Sequence, residues 1–326
     1  MVRTADRTLM RYGWLRPLGT LVFVVILATV FSPKNAQGGL IFWGGENLAN
    51  VLRQISDIGI LAMGMTLVII SGGIDLSVGS LLALSCTIFA YVFTEIDAGW
   101  SPVLGVVLAV AATAACGFTA GTLVSWLRLQ PFIVTLAVMI GSRGFAKWLV
   151  SNATIAVGYD DRTKPVVDFI GQKAFVVPTF LIVTVVALVL LNRTRFGRYL
   201  MAVGGSEDSA RLSGINVTWV KIRVYLFSGL IAGIAGVLYC CETHQGSPNA
   251  GVAYELDAIA AAVIGGTSLA GGKGGIFGTF VGALVLGILS NILGLNNVDE
   301  NVQWMLKAVI IIAAVWLQIV GKKRNT

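Results

Sequence analysis

Apolar residues fall in long runs separated by short polar breaks, and each run approaches the roughly 20 residues needed to span a bilayer as a helix. The runs predict about ten crossing helices, near residues 15–32, 50–70, 76–95, 102–126, 131–150, 176–192, 219–241, 255–271, 276–294 and 303–320. The expected fold is all-α, a polytopic membrane helix bundle filling residues 1–326 as one domain. The first run, Leu18 to Phe31, follows Arg3, Arg7, Arg11 and Arg16 and superficially resembles a signal peptide. No small-residue cleavage site follows it cleanly, so it reads as an uncleaved first helix. The eighth run is short and rich in alanine and glycine, with a re-entrant hairpin as its alternative.

The polar breaks test this count. With the N-terminus inside, loops after even-numbered spans should be basic. They hold Arg128, a cluster of Arg193, Arg195, Arg198, Arg211, Lys221 and Arg223, then Lys273, and last Lys322, Lys323 and Arg324. The opposite loops hold Glu95, Asp97, Asp160, Asp161, Glu242, Asp299 and Glu300. Ten spans satisfy every loop, with residues 1–14 and 319–326 as cytoplasmic tails. Losing the eighth span would put the basic C-terminus outside. Trp14, Trp100, Trp126, Trp148, Trp219 and Trp304 fall near expected span ends, where amphipathic rings prefer the headgroup layer.

Composition agrees. Hydrophobic residues make up 56% and charged residues 12%, against about 25% charged in a soluble domain, and mean hydropathy is +0.84. The net charge of +7 follows membrane topology rather than forming a nucleic-acid groove, so no nucleic acid is expected as partner.

Glycines recur four apart at Gly117/Gly121, Gly229/Gly233 and Gly274/Gly278/Gly282, a spacing that lets helix backbones approach closely. Two further pairs break the helical pattern. Residues 72–76 read Gly-Gly-Ile-Asp-Leu and residues 265–269 read Gly-Gly-Thr-Ser-Leu, each after an apolar run of the same expected direction, which suggests a parallel internal repeat. Gly72, Gly73, Gly265 and Gly266 are therefore candidate helix-break or pathway residues. Asp75 is the one carboxylate expected within the membrane fold. It reads as a cap for the helix that follows, with a proton or ion site as the functional alternative.

Several chemistries lack their residues. His244 is the one histidine and is expected at an outer span end. Cys86, Cys116, Cys240 and Cys241 lie in apolar segments without ligand spacing. Gly266 to Lys273 has the wrong glycine spacing for a phosphate loop, and Gly274 follows the lysine. No cofactor, metal or ATPase activity is expected. Sequons begin at Asn152, Asn192 and Asn216, two of them in expected cytoplasmic loops, and none is taken as a glycosylation site.

Three blocks carry a resemblance. Gly64 to Ser80 contains the run Ser71-Gly72-Gly73-Ile74-Asp75-Leu76-Ser77-Val78-Gly79. The second block joins Thr194 to Arg198, Ala202 to Gly205 and Ala210 to Asn216, and the third runs from Tyr254 through Gly265-Gly266-Thr267-Ser268-Leu269 to Gly274. In this order they are similar to the ribose/xylose-type permeases of bacterial ABC sugar importers, over about residues 47 to 320. The resemblance implies a subunit of the bacterial inner membrane that pairs with a second permease subunit. It implies a periplasmic sugar-binding protein that delivers the cargo, and a cytoplasmic ABC ATPase that drives it. It makes residues 193–218 the cytoplasmic coupling loop, with Gly204, Gly205, Glu207, Ala210, Arg211 and Gly214 in the segment that docks on the ATPase. Glu207 and Arg211, four apart, are expected to pair along the coupling helix. The outer loop from Ser151 to Val177 and the first 45 residues match little, leaving the sugar open, with a nucleoside or furanose signal as alternative cargo. An ion-coupled transporter would want paired membrane carboxylates or a histidine relay, and a membrane enzyme would want a nucleophile beside a base.

Overall fold

The computed structural model describes the backbone of residues 15–95 and 101–323, and the side chains of these except 15, 16, 311 and 313–323. In chain order the helices are α1 (Leu15–Val30), α2 (Gly45–Ile70), α3 (Val78–Glu95), α4 (Ser101–Ser125), α5 (Pro131–Leu149), α6 (Lys164–Gly171) and α7 (Lys173–Arg193). They continue as α8 (Arg195–Gly205), α9 (Glu207–Leu212), α10 (Val217–Thr243), α11 (Tyr254–Ile264), α12 (Ile276–Leu295) and α13 (Glu300–Lys323). Two short strands, β1 (Ile155–Ala156) and β2 (Gln245–Gly246), pair antiparallel.

Burial sorts these helices into layers. α2, α3 and α10 are buried along most of their length, whereas no more than about a third of α4, α5 or α7 is buried. A helix apolar all round sits in a core or in lipid, and here α2, α3 and α10 form the core while α4, α5 and α7 face outward. Small residues set the closest crossings. Gly117 and Gly121 of α4 lie against Tyr225, Ile222 and Gly229 of α10, and Gly229 and Gly233 return the contact to Thr113 and Val110. The two expected glycine pairs therefore meet each other. Gly278 and Gly282 of α12 likewise lie against Gly265 and Ala261 at α11. Hydroxyl bridges add register between helices, Thr66 to Thr279 at 2.6 Å and Ser80 to Ser142 at 2.8 Å.

Among the described residues, seven helices (α2, α3, α4, α5, α7, α10 and α12) are long and apolar enough to cross a membrane, and Pro17–Val30 in α1 is a shorter apolar helix. The expected eighth span, 255–271, differs most. Only Tyr254–Ile264 is helical, 11 residues, and those rise about 16 Å, half of a ~30 Å hydrocarbon core. The chain before it covers the remaining distance in non-helical form. Gly246 lies against Ala90 of α3 and Gly251 against Gly79, points separated by about 16 Å of helix at 1.5 Å per residue. Gly246, Pro248 and Ala250 are buried there, and Arg143 of α5 donates to the carbonyls of Pro248 at 3.0 Å and Ala250 at 2.7 Å. Irregular backbone at membrane depth is tolerated when it is buried in protein in this way.

Of the tryptophans expected at span ends, Trp126, Trp148, Trp219 and Trp304 are all at least half exposed, whereas Trp14 and Trp100 lie outside the described residues, as do Asp97 and Arg324.

Candidate functional site

The basic loop folds as two short helices. α8 is capped by Thr194, whose hydroxyl accepts from the Gly197 amide at 3.4 Å, and α9 by Ser206, which accepts from the Ser209 amide at 3.2 Å. After α9 the chain turns through Gly214, in the left-handed region at φ 79°, where a side chain would be strained. The Ile215 amide donates to the Ala210 carbonyl and Asn216 caps α10 by accepting from the Trp219 amide. Ala210 is the buried anchor of α9, and Glu207, Asp208 and Arg211 are exposed. Glu207 does not pair with Arg211 as expected. It pairs with Lys221 on α10, because the six-residue helix lies beside the start of α10 and brings the ammonium closer. Leu212 beside Arg211 is 90% exposed, an apolar tip that the sequence reading did not single out.

The two helix breaks converge on this loop. The Gly272 amide donates to the Ile70 carbonyl at 2.9 Å, joining the break after α11 to the end of α2. Gly204 packs into that junction: a Cβ there would strike the Ile70 carbonyl oxygen and come within 2.6 Å of the Gly272 amide nitrogen. Gly271 lies against Gly204 and Gly72, and Gly272 against Gly205. Gly72 and Gly266 both have positive φ, 85° and 90°, so both breaks use backbone that L side chains rarely adopt. Gly73 lies against Tyr225 of α10, and Gly265 against Gly278 of α12. All eleven residues singled out from the sequence therefore belong to one end of the bundle or to the breaks leading into it.

Asp75 follows the first break and is buried. Its Oδ1 accepts from the Ser77 amide at 3.0 Å and the Ser77 hydroxyl at 2.5 Å, and its Oδ2 from the Ser228 hydroxyl of α10 at 2.8 Å. Both oxygens are thus satisfied by uncharged donors, Ser77 just before α3 and Ser228 on α10. The expectation of a single membrane carboxylate does not hold. Asp57, buried within α2, lies beside Glu242 at the end of α10, and Glu242 bonds Arg53 at 3.0 Å. Asp57 was visible inside the second apolar run, but its partner lies far along the chain. At mid-depth the first turns of α3 and α11 meet head to head, with the Glu255 carboxyl against Gly79. Two helix N-termini favour negative charge there. His244 ends α10 in the left-handed region, beside Asp168 at 3.7 Å.

A family model described as the permease component of the branched-chain amino acid transport system matches residues 47–315. The ribose import permease RbsC of Escherichia coli (strain K12) is 42% identical over 308 residues, 93% of this chain and 94% of that one. RbsC of Bacillus subtilis (strain 168) is 39% identical, covering 94% and 93% of the two chains. The xylose transport system permease XylH of E. coli (strain K12) is 31% identical, covering 99% and 98%. No solved structure matches.

Proposed function

This chain belongs to the family of branched-chain amino acid transport system permease components, and from that premise we propose that it is the membrane-spanning subunit of an ATP-driven importer for a monosaccharide. The observation that carries the reading is the near-complete alignment with ribose and xylose permeases. The sugar is ribose or a related monosaccharide. The partners are a cytoplasmic ABC ATPase, a periplasmic sugar-binding protein and a second permease subunit, in the inner membrane of a bacterium. Both termini and the α8–α9 loop are cytoplasmic in this reading, since lysine and arginine are retained on that side.

The geometry supports a coupling role for the loop. α9 offers Leu212 and Arg211 as a compact surface, while Gly204 in the last turn of α8 is in backbone contact with Ile70 at the end of α2 and with Gly272 after α11. A push on α9 by the ATPase reaches the end of α2 and the segment that follows α11 through contacts at Gly204 that are backbone on backbone. Packed interfaces of this kind shift between discrete arrangements rather than deforming smoothly.

Pull-down of the chain from mild detergent tests the reading. A co-purifying ATPase that is lost on replacing Gly214 with a bulky residue, together with ATP-dependent sugar uptake by the reconstituted complex, is the expected result. A chain that purifies alone and moves sugar only on an ion gradient would overturn it.

A further inference from the structure

At the end of the bundle opposite the α8–α9 loop, a hollow of ≈ 330 Å³ opens between the first turns of α2 and the last turns of α12. Its volume lies in the range of small-molecule sites, about 300–1,000 Å³, and its lining mixes apolar surface with five polar side chains: Asn47, Asn50, Arg53, Gln54 and Asn291 stand beside Gly294 and Leu295. Asn47, Asn50 and Gln54 follow at intervals of three and four, so they share one face of α2. α2 has 26 residues, about 39 Å, and overhangs a ~30 Å core by about 5 Å at each end. Gln54, about 14 Å from the helix start, therefore sits within the apolar layer, where a polar side chain is costly unless it faces water or a partner.

The lining is also pre-set. Asn47 and Asn291 exchange amide hydrogen bonds at 3.1 and 2.9 Å, and the Asn47 amide also donates to the Phe42 carbonyl at 3.0 Å. Arg53 is held by its ion pair with Glu242. Asn50 and Gln54 make no hydrogen bond to the described residues, so their amides each retain two donors and an acceptor. Neutral amides that donate and accept match the hydroxyls of an uncharged polyol, and Leu295 suits the C–H face of a sugar ring. Arg53, the one cation of the lining, is already ion-paired.

We propose that this hollow is a sugar-binding station of the permease, with Asn50 and Gln54 the side chains that hydrogen-bond the monosaccharide as it enters from the binding protein. The inference rests on the importer reading and assigns the substrate a place within it. The test uses the complete reconstituted transporter with radiolabelled ribose, xylose and fructose, reading uptake and binding-protein-stimulated ATP hydrolysis side by side. For the Asn50→Ala/Gln54→Ala pair, uptake at low sugar falls tenfold or more while stimulated hydrolysis stays at the wild-type level, and Gln54→Asn alone retains most uptake. Unchanged uptake by the double variant would overturn the assignment and leave the importer reading standing. A parallel loss of uptake and hydrolysis would overturn it too, marking the hollow as an assembly contact. A wild-type complex that shows no ATP-driven uptake of any sugar would sink both readings.

Discussion

A Cβ on Gly204 would meet the Ile70 carbonyl oxygen, whereas one on Gly205 would meet nothing within 4 Å. Neighbouring glycines thus differ in kind, and Gly204→Ala and Gly205→Ala make a matched pair. Forcing a methyl into packed backbone costs about 1–3 kcal/mol. Gly204→Ala should lower sugar uptake about tenfold or more at normal membrane levels, with Gly205→Ala near wild type. Equal uptake by the two would remove the backbone contact from the coupling route. Asp75 gives a second residue-scale prediction. Its oxygens accept from Ser77 and Ser228 alone, and asparagine caps about as well as aspartate. Asp75→Asn is expected to keep most uptake, while Asp75→Ala loses the hydrogen bonds that hold the turn before α3, at about 1 kcal/mol each. Near-complete loss in Asp75→Asn with normal insertion would point to an ionic role instead. Asp75 as a buried acceptor was legible from its place before a helix start, but Ser228 was not.

The polar loop was legible as an element because its serine and glycine punctuation is local: Ser206 caps α9 and Gly214 ends it. The ion pair was not, since Lys221 reaches Glu207 only after the chain has turned back on itself. Partly exposed pairs are worth little, about 0–1 kcal/mol, so the exposed leucine matters more at this scale. Leu212→Glu places a charge on the apolar tip of α9 without touching Ala210 beneath it. The mutant should insert normally yet bring down at least about tenfold less ATPase from detergent. Full recovery of the ATPase would move the docking surface elsewhere. Among the crossing elements, the eighth run shows why composition alone misleads. Its alanines and glycines allow a helix, but the buried path along α3 leaves room for only 11 helical residues.

For the whole molecule, a central layer of α2, α3 and α10 is shielded by the outward-facing α4, α5 and α7, and the proposed orientation puts the α8–α9 loop on the cytoplasmic side. Impermeant thiol labelling of intact cells tests that orientation, because Cys86, Cys240 and Cys241 are buried. In a Cys116→Ser background, Asn152→Cys is expected to label from outside and Ser209→Cys only after the cells are opened. The reverse pattern would invert the topology and detach α9 from a cytoplasmic ATPase. The sequence by itself determined where the apolar runs lie, where glycine interrupts them and which loops are basic, because each is set by residues adjacent in the chain. Only the tertiary structure decided that both breaks meet Gly204, that Arg53 binds Glu242 and that Asn47 and Asn291, 244 residues apart, frame one hollow. Such pairings depend on how helices cross, and no local pattern of polar and apolar residues carries that information.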